Sequence, residues 1–155
     1  MQEQTNEVLR RLDVLEGEWE MRAFIGEETM ITGTTQFEWQ HERAFMLIRA
    51  DSSDDPDAPD AWGEQAPFPT VSMVGLDDRG EDFAVLYADS RGVVRIYTMG
   101  FADGRLTMYR DAPGFFQRFT GELSEDGRRI DAAWEGSPDG EEWSLDFNLT
   151  YTKAD

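Results

Sequence analysis

Tyr97-Thr98-Met99-Gly100-Phe101-Ala102-Asp103-Gly104-Arg105-Leu106-Thr107-Met108 decides the fold. Large apolar residues alternate with small or polar ones on both sides of Asp103-Gly104. That dipeptide suits a two-residue hairpin turn, because glycine takes a positive φ without steric cost. The pattern predicts two antiparallel strands, with Phe101 opposite Leu106 and Met99 opposite Met108. The same punctuation recurs through the second half of the chain. Asp78-Arg79-Gly80, Arg91-Gly92, Asp103-Gly104, Pro113-Gly114, Asp126-Gly127 and Asp139-Gly140 place a glycine every ten to thirteen residues. Val, Tyr, Phe, Trp and Thr are frequent between them. Short strands joined by tight turns make an antiparallel meander, and one this long closes into a barrel or folds into a sandwich.

Outward from this hairpin, seven strands are predicted: Thr70 to Asp77, Asp82 to Asp89, Val93 to Phe101, Arg105 to Asp111, Gly114 to Leu123, Arg129 to Ser137 and Glu142 to Lys153. Upstream, Glu18 to Phe24, Ile31 to Gln40 and Ala44 to Ala50 read as three more. Val8, Leu9, Leu12 and Leu15 recur at helical spacing, predicting a helix from about Thr5 to Leu15 that Gly17 ends. Residues 51–69, acidic and broken by proline, read as one long loop, a class that is usually mobile or functional. The chain is therefore expected to be one all-β domain over residues 1–155: about ten antiparallel strands and a short N-terminal helix.

Alternation assigns the interior. A turn at Asp126-Gly127 sets Leu123 against Ile130 and Phe119 against Trp134. A two-residue turn at Ala112-Pro113 would set Arg110 beside Phe115 and Met108 beside Gln117. One inner face then collects Tyr97, Met99, Phe101, Met108, Arg110, Gln117, Phe119 and Trp134. In the last strand, Trp143, Leu145, Phe147, Leu149 and Tyr151 share a face. The register at Arg91-Gly92 is ambiguous, which leaves Tyr87 and Arg95 unplaced.

The 155 residues carry a net charge of −19, with thirteen arginines and one lysine. This balance argues against nucleic acid and anionic membrane as partners, since both require clustered cations. The chain contains no cysteine, which excludes disulfides and thiolate metal sites. No apolar run approaches the length of a membrane span, and the polar start Met1-Gln2-Glu3-Gln4 is unlike a secretory signal. A cytoplasmic location is the expectation.

The opening Leu12-Asp13-Val14-Leu15-Glu16-Gly17-Glu18-Trp19, with its Gly-x-Trp, resembles that of the bacterial lipocalin-like (calycin) barrels, close to a widespread family of unknown function. Tyr109-Arg110-Asp111-Ala112-Pro113-Gly114-Phe115, Gln117-Arg118-Phe119 and Ser137-Pro138-Asp139-Gly140-x-x-Trp143 carry the same resemblance over nearly the full length. It implies an antiparallel barrel with a helix near one end and an interior that often holds a small apolar ligand. Heme-binding nitrobindin-like barrels share the Gly-x-Trp opening and ligate iron through a late histidine. Here the only histidine is His41, so the resemblance implies no heme, and no cofactor is expected.

The expected ligand-binding residues are Tyr97, Met99, Met108, Arg110, Gln117, Arg118, Phe119 and Trp134. Arg110 stands out, because an inward guanidinium stays charged and needs a carboxylate, carbonyls or a ligand anion. It either orients a ligand head with Tyr97 and Gln117, or pairs near the rim with Asp111 or Glu122. Arg118 falls on the outer face with Phe116 unless a bulge reverses it. Trp19, Trp39, Trp134 and Trp143 read as core, and Trp62 as a lid or a loop anchor. The aspartates from Asp51 to Asp60 lack the glycine and terminal glutamate of a calcium loop and read as solvated. No nucleophile stands in a recognisable setting, His41 reads as surface, and no catalytic or metal-binding residue is assigned. The expected partner is a small apolar or amphipathic molecule. The alternatives are a metal-free isomerase or lyase using the cavity, and an interaction module with a filled barrel that forms a homodimer.

Overall fold

The computed structural model describes residues 7–53, 57, 60, 62–63, 66–78 and 82–155. Ten strands follow one short helix: β1 (Gly17–Ile25), β2 (Glu28–Gln40), β3 (Phe45–Ser52), β4 (Thr70–Leu76), β5 (Phe83–Asp89), β6 (Val94–Ala102), β7 (Arg105–Arg110), β8 (Phe116–Leu123), β9 (Arg129–Ser137) and β10 (Ser144–Lys153). Sequence neighbours pair antiparallel throughout, and β1 also pairs with β10, so the sheet closes into a barrel with no free edge.

The helix runs over residues 7–15, α-helical at 7–10 and 3-10 over Arg11–Leu15. The expected start at Thr5 lies outside the described residues. Leu9, Leu12 and Leu15 are buried, so the apolar stripe packs across one end of the barrel. Three side-chain hydrogen bonds hold it there. Trp19 Nε1 donates to the Leu15 carbonyl at 2.9 Å, Trp39 Nε1 to Asp13 Oδ1 at 2.9 Å, and Lys153 Nζ to the Val14 carbonyl at 3.2 Å. Leu12, Leu15, Trp19 and Phe83 are among the fully buried side chains.

At Asp103-Gly104 both residues have positive φ (54° and 75°), the geometry of a two-residue hairpin turn. It yields the expected Phe101–Leu106 and Met99–Met108 pairs. The β2–β3 connection lacks glycine altogether. His41, Glu42 and Arg43 all sit at φ between 48° and 68°, with the Ala44 N–H donating to the Gln40 carbonyl at 3.0 Å. Each such non-glycine residue costs about 1–2 kcal/mol. His41 is exposed in this turn.

Two register details differ from the sequence reading. The β7–β8 connection spans residues 111–115, with the Phe115 N–H donating to the Ala112 carbonyl at 2.9 Å. It is longer than a two-residue turn, so Arg110 faces Gln117 and Met108 faces Phe119. A slip of two leaves every side chain on its face, and the inner set survives. In β10, by contrast, the register shifts between Leu145 and Phe147. This bulge reverses the facing upstream. Phe147, Leu149 and Tyr151 turn inward, whereas Leu145 is exposed and Trp143 lies outside on Tyr109, with ring centroids 6.3 Å apart. Trp143 is therefore not a core residue. On the outer face of β4–β6, Val71, Met73, Leu86, Val94 and Ile96 are also exposed.

Gly33 permits the close approach of β2 to β3. A Cβ there would come far inside van der Waals contact with the Asp51 backbone carbonyl oxygen. Because the obstacle is backbone within a ladder, Gly33→Ala should destabilise by about 2–3 kcal/mol. Urea unfolding checks this as a lower midpoint at unchanged slope.

Candidate functional site

The interior is not packed solid. A cavity of about 400 Å³ runs through the barrel interior. Leu15 touches it from the helix end, and Trp62, Pro67 and Phe68 from the long loop. Trp62 packs on Phe147 and Phe68, with ring centroids 5.0 and 6.1 Å apart. It thus ties the loop to β10 at the mouth. The walls are mostly apolar: Met46, Ile48, Val74, Val85, Met99, Met108, Phe119, Ile130, Trp134 and Leu149 all line the cavity.

Polar groups gather on β5 and β6, where strand alternation brings Tyr87, Arg95 and Tyr97 inward. Tyr87 pairs with Arg95 across the ladder. The Tyr87 hydroxyl donates to Asp89 Oδ2 at 2.7 Å, and Arg91 grips the same carboxylate through Nη2 at 2.7 Å and Nε at 3.3 Å. The Asp89 side chain is 0% exposed and that of Arg91 32%. Burial opposes the charge on Asp89, but the hydrogen bonds from Arg91 and Tyr87 outweigh it and hold the carboxyl well below the usual range. Burial, reinforced by Asp89, pushes the Tyr87 phenol up. Beside them, the Tyr97 hydroxyl donates to Gln117 Oε1 at 3.0 Å, and burial raises its phenol as well.

Arg95 is different. Its guanidinium stands over the rings of Tyr87 (5.9 Å) and Phe115 (5.6 Å) and lines the cavity. Among the described residues it makes no ion pair within 4.0 Å. The carboxylate that acts on it from a distance is Asp146, in the β10 bulge at the mouth. Asp146 is pushed above the usual carboxylate range by burial, against the pull of Arg95. The Tyr97 hydroxyl interacts with the Arg95 guanidinium, and the remaining N–H donors face the mostly apolar cavity.

Of the residues singled out from sequence, Tyr97, Met99, Met108, Gln117, Phe119 and Trp134 come together on the cavity wall. Arg110 does not join them. It ends β7 at the rim, and its Nη1 donates to the Phe115 carbonyl at 3.2 Å. Arg118 lies outside, in a bidentate pair with Glu135 (2.8 and 3.2 Å) and 4.2 Å over the Trp143 ring. Sequence reasoning missed Arg91, Arg95 and Asp146. The first two flank the Arg91-Gly92 turn, whose register alternation alone leaves open, and the third sits in a bulge with no local signature.

Among solved structures, the crystal structure of Rv2717c from M. tuberculosis matches this chain with a TM-score of 0.64 at 10% identity, covering 96% of this chain and 98% of that one. At that identity the likeness shows the barrel alone. No protein-family model and no curated protein matches the sequence. Among the described residues, no three His, Asp or Glu side chains converge on a metal-sized site, and no helix is long and apolar enough to cross a membrane.

Proposed function

We propose that this protein is a lipocalin-like carrier, cytoplasmic in location, which binds one small, mostly apolar molecule with an anionic or carbonyl head. The head sits at the mouth against Arg95, and the tail lies among Met99, Met108, Phe119 and Trp134. The observation that carries this reading is Arg95 itself, a charged side chain facing an apolar cavity with no ion-pair partner among the described residues. A few convergent polar groups in an apolar pocket are the usual arrangement of a small-molecule site. A net charge of −19 disfavours anions over most of the surface, and the Arg91–Arg95 mouth is a local exception. Native mass spectrometry of the purified protein, followed by denaturing extraction, tests the reading. A reproducible adduct that proves to be an amphiphile with an acidic or carbonyl head is expected. Extraction of a polar cation would count against it.

Asp146 competes with such a ligand for Arg95. Asp146→Asn should strengthen binding of dodecanesulfonate, which stays anionic at all relevant pH, by about three- to tenfold. Protonating Asp146 has the same effect. Its pKa lies above the ordinary carboxylate value of about 4, so wild-type affinity should rise as pH falls through the upper carboxylate range, and that rise should vanish in Asp146→Asn. Titration by tryptophan fluorescence at several pH values reads both.

A second reading rests on the same residue. A carboxylate at the cavity mouth with a raised pKa near a cation is a candidate base for a metal-free isomerase or lyase. Asp146→Asn separates the two readings, with tighter binding for a carrier and lost turnover of the co-purifying compound for an enzyme.

A further inference from the structure

We infer that the deep end of the cavity is a second polar subsite, so that the ligand class is an elongated amphiphile with an anionic head and a hydrogen-bonding terminus. This inference rests on the carrier reading above.

Three cavity-lining residues on the adjacent strands β10, β1 and β2 define the subsite: Tyr151, Met21 and Thr35. Tyr151 pairs with Met21 and Ile130, and Thr35 pairs with Trp19. The next inward positions on β10 and β1, Lys153 and Trp19, hydrogen-bond to the helix that closes this end. The subsite is therefore at the bottom of the cavity, away from Arg95.

Its hydroxyls are poorly matched to their surroundings. Burial alone pushes the Tyr151 phenol up, and the hydroxyl makes no hydrogen bond among the described residues. Among the described residues no buried polar side-chain atom is wholly enclosed without a partner, so the Tyr151 oxygen opens onto the cavity it lines. Thr35 is 3% exposed, and its hydroxyl donates only to the Met21 sulfur at 3.7 Å, a weak acceptor. Buried hydroxyls normally find good partners. A pair that lacks them, facing a cavity, fits a ligand hydroxyl or carbonyl that supplies the missing bond. Along β10, Tyr151 lies five positions beyond Asp146 at the mouth, roughly 15 Å of strand. A ligand spanning the two stations is long and apolar in its middle, where Phe119, Trp134 and Leu149 form the wall.

The test compares saturated fatty acids from decanoate to tetradecanoate with their ω-hydroxy counterparts, on wild-type protein and on Tyr151→Phe, by calorimetric titration. A matched ω-hydroxy acid should bind about tenfold more tightly than its parent. In Tyr151→Phe that preference should disappear, with affinity for the parent acid held within about twofold. Tyr151→Phe removes one oxygen and keeps the ring, so a thermal melt close to wild type is expected. If parent and ω-hydroxy acids bind equally at every length, the deep subsite is overturned and the carrier reading stands. If none of the acids binds, the carrier reading falls and this inference with it.

Discussion

Arg95→Gln should weaken dodecanoate binding by about thirty- to a hundredfold, or about 2–3 kcal/mol, while affinity for dodecanol changes little. The guanidinium faces the cavity between Tyr87 and Phe115 and makes no ion pair within 4.0 Å among the described residues. Its charge can therefore meet a carboxylate without first breaking a protein salt bridge. Glutamine retains donors but not the charge or the planar fork that matches a carboxylate in two bonds. Dodecanol has no charge to lose, so it isolates the contribution of the apolar wall. Trp62 and Trp134 both line the cavity, so intrinsic fluorescence follows either ligand. The substitution should also leave the thermal midpoint nearly unchanged, because the residue forfeits cation–π contacts and its interactions with the Tyr97 hydroxyl and Asp146 but no close ion pair. Equal loss of dodecanoate and dodecanol affinity would show that Arg95 shapes the pocket instead of reading the head.

Asp89→Ala should be the most damaging single change to stability near the site, at about 2–3 kcal/mol, a fall in Tm of about 5–10 °C. The carboxylate is fully enclosed and accepts from the Tyr87 hydroxyl, the Arg91 guanidinium and the Arg91 backbone N–H. Removing it strands a half-buried phenol and a cation that is only one-third exposed. The pH dependence follows with a definite sign. Asp89 is held well below its ordinary value in the folded protein, so at acid pH the unfolded chain takes up the proton first. Its stabilising contribution is complete above the ordinary carboxylate pKa of about 4 and is lost as pH falls below it. Wild type and variant should converge in midpoint on acidification. A gap that stays constant down to the acid limit would mean that Asp89 contributes packing rather than charge.

Most of the barrel was legible because its signals are local. A positive-φ glycine ends each of several strands, and period-two alternation fills the spans between, so the ten strands fall within a few residues of their expected limits. The inner wall of β6 to β9 was legible for the same reason, since Asp103-Gly104 and Asp126-Gly127 fix register from sequence alone. What escaped depends on features without such markers. The β2–β3 turn falls where expected, between Gln40 and Ala44, but its left-handed backbone at His41 to Arg43 carries no glycine to announce it. The bulge in β10 moves Trp143 outside and brings Asp146 to the mouth. The Arg91-Gly92 turn admits more than one register, and the choice among them decides whether Arg95 faces the interior or solvent. Arg110 draws attention as the inward arginine, yet it ends its strand on a backbone carbonyl.

Calorimetric titration of dodecanoate into the wild-type protein at several temperatures tests the carrier claim most directly. One site per barrel with a negative heat-capacity change, the mark of an apolar chain leaving water for an apolar interior, is the expected result. The absence of saturable heat, or binding of several molecules per chain with no heat-capacity change, would contradict it.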